Sequence, residues 1–140
     1  MANRNYDQVG TLPLDWEQDT ILALLYAGTT FDASDKTVAD LGTSSLAVQP
    51  IQGRWLSEDL AMGLPVAFQK VSADLEFQIV VAQNTGDGNP KLLAFIDANA
   101  DDSPITVLRT GTLIIRPVLP SITVPPERPP TIGVWMKLPT

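Results

Sequence analysis

The stretch that decides the fold is "LEFQIVVAQNTGDGNPKLLAFID", from Leu75 to Asp97. In an extended chain, side chains alternate between the two faces, so four apolar side chains share one face, and Glu76 and Gln78 lie on the other; the four are Leu75, Phe77, Ile79 and Val81. The polar run "QNTGDGNP" supplies residues that accept positive φ and reverse the chain. The stretch therefore predicts a β-hairpin over 75–97.

Short apolar runs bounded by turn-forming residues recur along the rest of the chain, for example "TILALLY", "SLAVQPI", "PVAFQKV", "PITVL" and "GTLIIRPVL". Runs of four to eight residues at roughly even spacing are typical of antiparallel sandwiches and barrels. We therefore predict an all-β fold, an antiparallel β-sandwich or barrel-like domain over residues 1–117, in which residues 1–18 form an N-terminal extension.

The segment "DWEQDTILALLYAG", residues 15–28, allows two interpretations. It could form a helix with Asp15 as N-cap, Gln18 completing a capping box and Gly28 ending it. It could also be a loop followed by a strand from Thr20 to Tyr26 that is buried on both faces. We favour the strand because the surrounding segments are all β.

The C-terminal part, "PVLPSITVPPERPPTIGVWMKLPT", contains seven of the twelve prolines. Proline removes ladder donors and fixes φ, so residues 118–140 are predicted to form an extended, partly polyproline II arm. Such an arm has apolar groups to bury, either against a partner or against its own domain. For the first case we predict these interface residues: Ile122, Val124, Ile132, Val134, Trp135 and Met136.

The composition narrows the classes of function. The chain contains no cysteine and no histidine, which removes disulfides, thiol nucleophiles, imidazole bases and the commonest transition-metal ligands. Sixteen acidic against nine basic residues give a net charge of −7, which disfavours nucleic acid as a partner. The apolar runs fall short of a membrane span, and no secretion signal is recognised. We predict a protein that is not an enzyme and uses no cofactor.

One candidate metal site stands out in "FIDANADDSP", residues 95–104, where Asp97, Asn99 and Asp101 alternate. In a calcium loop counted from Asp97, glycine is expected at the sixth position and glutamate at the twelfth, but Asp102 and Leu108 stand there. A polar turn is therefore the preferred interpretation, with the three residues as weak metal candidates.

Two further groups of side chains were considered for chemistry. Acidic pairs such as Asp32 with Asp35 are interpreted as solvated loop residues rather than as an acid and base couple. The three tryptophans, Trp16, Trp55 and Trp135, could serve as a sugar-stacking platform or as anchors in a protein interface.

With these motifs laid out, the chain from Asp19 to Pro117 resembles small β-sandwich structural proteins of tailed bacteriophage virions. The resemblance is carried by strand and turn residues: Asp19, Thr20, Ile21, Thr30, Phe31, Asp32, Ala39, Asp40, Leu41, Thr85, Gly86, Asp87, Leu93, Ala94, Phe95, Ile96 and Asp97. It implies a capsid decoration (cement) protein on the outer capsid surface that bridges neighbouring subunits. The implied partners are the major capsid protein and copies of itself, for which a homotrimer is one arrangement. The alternative is a tail or fibre-associated module that recognises host glycans.

Overall fold

The computed structural model describes residues 3–99, 102–117 and 133–139. Within these ranges the chain forms ten strands and two short 3-10 helices. The strands are β1 (Arg4–Asn5), β2 (Thr20–Tyr26), β3 (Ala47–Pro50), β4 (Trp55–Ser57), β5 (Leu60–Gly63), β6 (Val66–Val71), β7 (Gln78–Asn84), β8 (Lys91–Ile96), β9 (Gly111–Ile115) and β10 (Gly133–Lys137). The 3-10 helices are Asp7–Gly10 and Val38–Leu41. The predicted all-β class is confirmed.

Three antiparallel sheets form two layers. The first layer is a five-stranded sheet in the order β1-β8-β7-β2-β3. The second layer consists of the three-stranded sheet β10-β5-β4 and the two-stranded sheet β6-β9. The main core lies between the layers, because Ile21 and Leu25 of β2 share one cluster with Phe68 of β6 and Trp135 of β10. This arrangement is a sandwich, as predicted.

The predicted hairpin forms between β7 and β8, but Leu75, which was expected on its apolar face, precedes β7 and is 38% exposed. β7 pairs with β8 from Ile79 opposite Ile96 to Gln83 opposite Lys91, and the polar run between them makes the turn. Phe77, Ile79 and Val81 enter the main core. The opposite face of the same strand is also buried, since Val80 and Ala82 join a second cluster.

The ambiguous segment 20–26 is a strand, which confirms the favoured interpretation. β2 is central in its sheet, with β7 on one side and β3 on the other. Ile21, Ala23 and Leu25 face the main core, whereas Leu24 and Tyr26 face the second cluster. Burial on both faces explains why its sequence shows no polar alternation.

A strap of residues 31–41 covers the second face of the five-stranded sheet. Phe31, Val38 and Leu41 of the strap pack against the second cluster. Helix Val38–Leu41 in the strap is held by a capping box between Thr37 and Asp40, in which each side chain satisfies a backbone N–H group at the helix start.

Both ends of the described chain are part of the domain, which corrects the predicted boundaries. Near the N-terminus, β1 pairs with β8, and Trp16 is fully buried. Near the C-terminus, β10 pairs with β5, with Val134 opposite Met62. Residues 3–18 are therefore not a separate extension, and residues 133–137 are a strand of the sandwich rather than the end of an arm.

Candidate interaction surface

The edge strand β3 gives the domain an uncovered apolar surface. β3 pairs with β2, with Ala47 opposite Leu25 and Pro50 opposite Leu22. On its other side the described residues supply no hydrogen-bonded strand, because β3 ends the order of the five-stranded sheet. An unpaired edge leaves backbone donors and acceptors available to another chain.

The side chains of this edge are apolar and exposed. Leu46 is 55% exposed and Val48 is 45% exposed. Val48 lies opposite Leu24 in the ladder, so it belongs to the face that the strap covers elsewhere. The strap stops at Leu41, so among the described residues the apolar face continues onto β3 with Val48 exposed.

A shallow groove of about 430 Å³ adjoins this edge. It is lined by Val38, Ala39, Gly42, Thr43, Ser44 and Ser45. These residues connect the end of the strap to the start of β3 and offer methyl and hydroxyl groups rather than charges. We call residues 42–50, with this groove, the β3 surface.

The β3 surface carries no charge although the protein as a whole is acidic. From Gly42 to Gly53 the sequence contains no Asp, Glu, Lys or Arg, whereas the whole chain has a net charge of −7. Depletion of charge together with exposed aliphatic groups is the composition found at the centre of protein interfaces. This unpaired, uncharged edge with exposed aliphatic side chains is the candidate interaction surface of the described residues.

The candidate metal residues have structural roles. The Arg4 guanidinium donates to Asp97 Oδ2 at 2.7 Å and lies over the Phe31 ring, 4.4 Å from its centroid. The Asn99 amide donates to Ser103 Oγ and to the Pro104 carbonyl, each at 3.0 Å, which closes a turn. Asp101 lies outside the described residues. Within the described part of the chain, no three acidic, cysteine or histidine side chains are grouped as metal ligands.

The predicted interface residues separate into two groups. Val134, Trp135 and Met136 are fully buried in the chain's own core. They were expected to anchor in a neighbour, but in the described structure β10 packs them into the chain's own domain. Ile122, Val124 and Ile132 lie outside the described residues.

The tryptophans do not form a sugar-stacking platform. Trp16 and Trp135 are 0% exposed, and only Trp55 is partly accessible. The Trp16 ring nitrogen donates to the Met62 carbonyl at 2.9 Å. A buried indole with a satisfied donor is a core residue.

The acidic loop residues cap turns. Asp32 Oδ1 accepts hydrogen bonds from the Ser34 hydroxyl at 2.7 Å and the Ser34 amide at 3.0 Å, and these bonds lower the Asp32 pKa. Asp40 accepts from the amides of Lys36 and Thr37, which lowers its pKa as well. Burial, followed by the negative charge of Asp32, raises the pKa of Asp35. The carboxylates of Asp32 and Asp40 are therefore occupied in local capping.

Sequence reasoning missed the β3 surface. The uncharged run "GTSSLAVQPIQG" was visible, but a strand with that composition is equally suited to the centre of a sheet. Only the strand order places it at an edge.

No family model, curated protein or solved structure matches this chain. The described residues contain no helix long and apolar enough to cross a membrane.

Proposed function

We propose that this protein is a non-enzymatic structural component of a tailed bacteriophage particle, a decoration (cement) protein bound to the outer capsid surface. The observation that carries the proposal is the β3 surface, an uncharged apolar strand edge on an acidic domain. Its phage setting comes from the sequence resemblance over residues 19–117. Its partners are the major capsid protein and further copies of itself.

The physical requirements of decoration agree with the properties of the domain. A shell presents the same site hundreds of times, so modest individual contacts add up when neighbouring copies hold one another. A net charge of −7 keeps the protein away from packaged nucleic acid and from unspecific contact with acidic surfaces. Electrostatic repulsion between this acidic protein and an acidic partner is lowest at the uncharged edge.

The attachment of the proline-rich segment supports a second contact. Residues 118–132 begin and end at one point of the domain, because the Val134 amide donates to the Pro117 carbonyl at 2.8 Å. Ile122, Val124 and Ile132 remain predicted contacts with a capsid subunit.

Electron microscopy of particles from the phage that encodes this chain tests the proposal. A fusion tag on the protein should appear over the whole shell in hundreds of copies. A few copies confined to the tail would instead indicate the host-binding role. Absence of the protein from purified particles would refute a structural role altogether.

A further inference from the structure

We propose that β3 is the self-association surface, and that β3 of one copy pairs antiparallel with β3 of a second copy across a two-fold axis at Val48. This inference rests on the proposed function in one respect, since it names the surface through which neighbouring copies contact each other. It is tested on the free protein in solution. The result would join two five-stranded sheets into one continuous sheet.

The hydrogen-bond pattern of β3 selects Val48. The Ile51 amide donates to the Ile21 carbonyl of β2 at 2.9 Å. Hydrogen-bonding direction alternates along an antiparallel strand, so Ala47 and Gln49 also face β2, and Val48 directs its N–H and C=O outward. Val48 can therefore exchange two hydrogen bonds with Val48 of a second copy.

The neighbouring outward-facing residues cannot pair with their own copies in this way. Pro50 also faces outward but has no N–H group. The Leu46 amide is already bonded to the Leu25 carbonyl at 2.7 Å, and the Gln52 carbonyl accepts from Leu64 at 2.9 Å. Val48 is the one residue of this edge that presents both a donor and an acceptor outward, so it is the residue that can pair with its own copy, and we place the axis there.

The side chains complement each other in this register. Val48 and Pro50 share one face of β3 because they alternate along the strand, and the exposed Leu46 lies just before it. Across the axis Val48 faces Val48 of the second copy, and Leu46 faces its Pro50. The pairing therefore buries the exposed apolar side chains of this edge, which the strap does not cover.

Charge favours a second copy of this chain as the occupant. Two molecules of net charge −7 repel each other, and the repulsion is smallest where neither contributes charge. The stretch 42–53 meets this condition on both sides of a symmetric contact. The strand is short and Pro50 limits its edge, so we expect a small interface with a dissociation constant of about 1 to 100 μM. Such a contact becomes strong when many copies are held on one lattice.

The test uses two charge variants at the axis, Val48→Glu and Val48→Lys. Paired residues on such an axis lie about 5.5 Å apart, so each variant alone places two like charges opposite each other. Each should raise the dimer dissociation constant by roughly tenfold or more in analytical ultracentrifugation. Mixing the two variants places opposite charges together and should restore a dimer with one copy of each, which native mass spectrometry identifies.

Ile114→Glu is the matched control. Ile114 is 65% exposed on β9 in the other layer, so it adds the same charge to an exposed strand position away from the axis. This variant should dimerise like the wild type. Equal weakening by Ile114→Glu would attribute the effect to net charge and overturn the assignment to β3.

Three other outcomes would also overturn the inference. The wild type could sediment as a 15.1 kDa monomer up to millimolar concentration. The mixture of Val48→Glu and Val48→Lys could remain monomeric. Replacement of residues 118–132 by a short linker could abolish the dimer, which would make the neighbour's proline-rich segment the occupant. Labelling of particles remains a separate measurement, so the dimer can fail while decoration holds, or the reverse.

Discussion

The backbone amide of Val134 donates a hydrogen bond of 2.8 Å to the carbonyl of Pro117. Gly133 lies in the same contact, since a Cβ atom placed there would approach the Pro117 ring and carbonyl to 3.1 and 3.2 Å. Pro117 and the start of β10 therefore lie side by side in the sandwich. Removing the C-terminal residues would remove a core strand along with the proline-rich segment.

Truncation after Pro117 is expected to unfold the domain. It deletes Val134, Trp135 and Met136, which are fully buried, and exposes β5 along its whole edge. Replacing residues 118–132 by a short Gly/Ser linker keeps these contacts and should leave the melting temperature within about 3 °C of the wild type. Circular dichroism melts distinguish the two; a cooperative melt of the truncated chain would contradict the assignment of β10 to the core.

Arg54 is expected to hold the N-terminal segment against the sandwich. Its guanidinium donates a hydrogen bond of 2.7 Å to the Trp16 carbonyl, and it also donates to the carbonyls of Ile51 and Asp19. Arg54→Ala leaves these acceptors without their charged donor and should lower the free energy of unfolding by about 3 kcal/mol, measured by urea denaturation. The exposed Arg109→Ala is the control and should change it by less than about 0.5 kcal/mol.

The two fully buried tryptophans should differ in their response to phenylalanine. The Trp16 ring nitrogen bonds to the Met62 carbonyl, whereas the Trp135 ring nitrogen has no hydrogen-bond partner among the described residues. Both substitutions lose similar volume, but only Trp16→Phe leaves a buried acceptor unsatisfied. We expect Trp16→Phe to cost about 1 to 2 kcal/mol more than Trp135→Phe in chemical denaturation. Equal costs would show that the Met62 bond adds nothing.

At alkaline pH, ionisation of the tyrosines should accompany unfolding of the domain. The chain has two tyrosines, Tyr6 and Tyr26, and burial raises the pKa of both above the ordinary 10.0. Below pH 10 both residues are protonated in the folded and unfolded states, so their contribution to stability is fully present. Above pH 10 the unfolded chain releases protons that the folded protein retains, and stability falls.

Ultraviolet absorbance at 295 nm measures the ionisation of the tyrosines directly. Above pH 10 the folded protein should show less tyrosinate than the unfolded chain at the same pH, and the signal should rise together with the loss of near-ultraviolet circular dichroism. Tyr26→Phe should halve the final amplitude. Tyrosinate formation near pH 10 in protein that is still folded would show that these hydroxyls are accessible to solvent.

Local sequence patterns were sufficient to predict much of the fold. The alternation in 75–81 and the turn residues in 83–90 fix a hairpin because both act between residues close in sequence. The turn at Asn99 was predictable for the same reason, since its amide bonds only to Ser103 and Pro104. The proline content of 117–140 was a weaker guide, because five of its residues, 133–137, form a strand that pairs with β5.

The sequence by itself determined the β character of the chain, its main hairpin and the lack of histidine and cysteine chemistry, because these depend on composition and on neighbouring residues. Only the tertiary structure decided that Trp135 is core and that Val48 is at an edge. Both depend on pairing between distant strands, β10 with β5 and β3 with β2 alone. Such pairing is selected by the packing of the whole domain, and no local pattern encodes it.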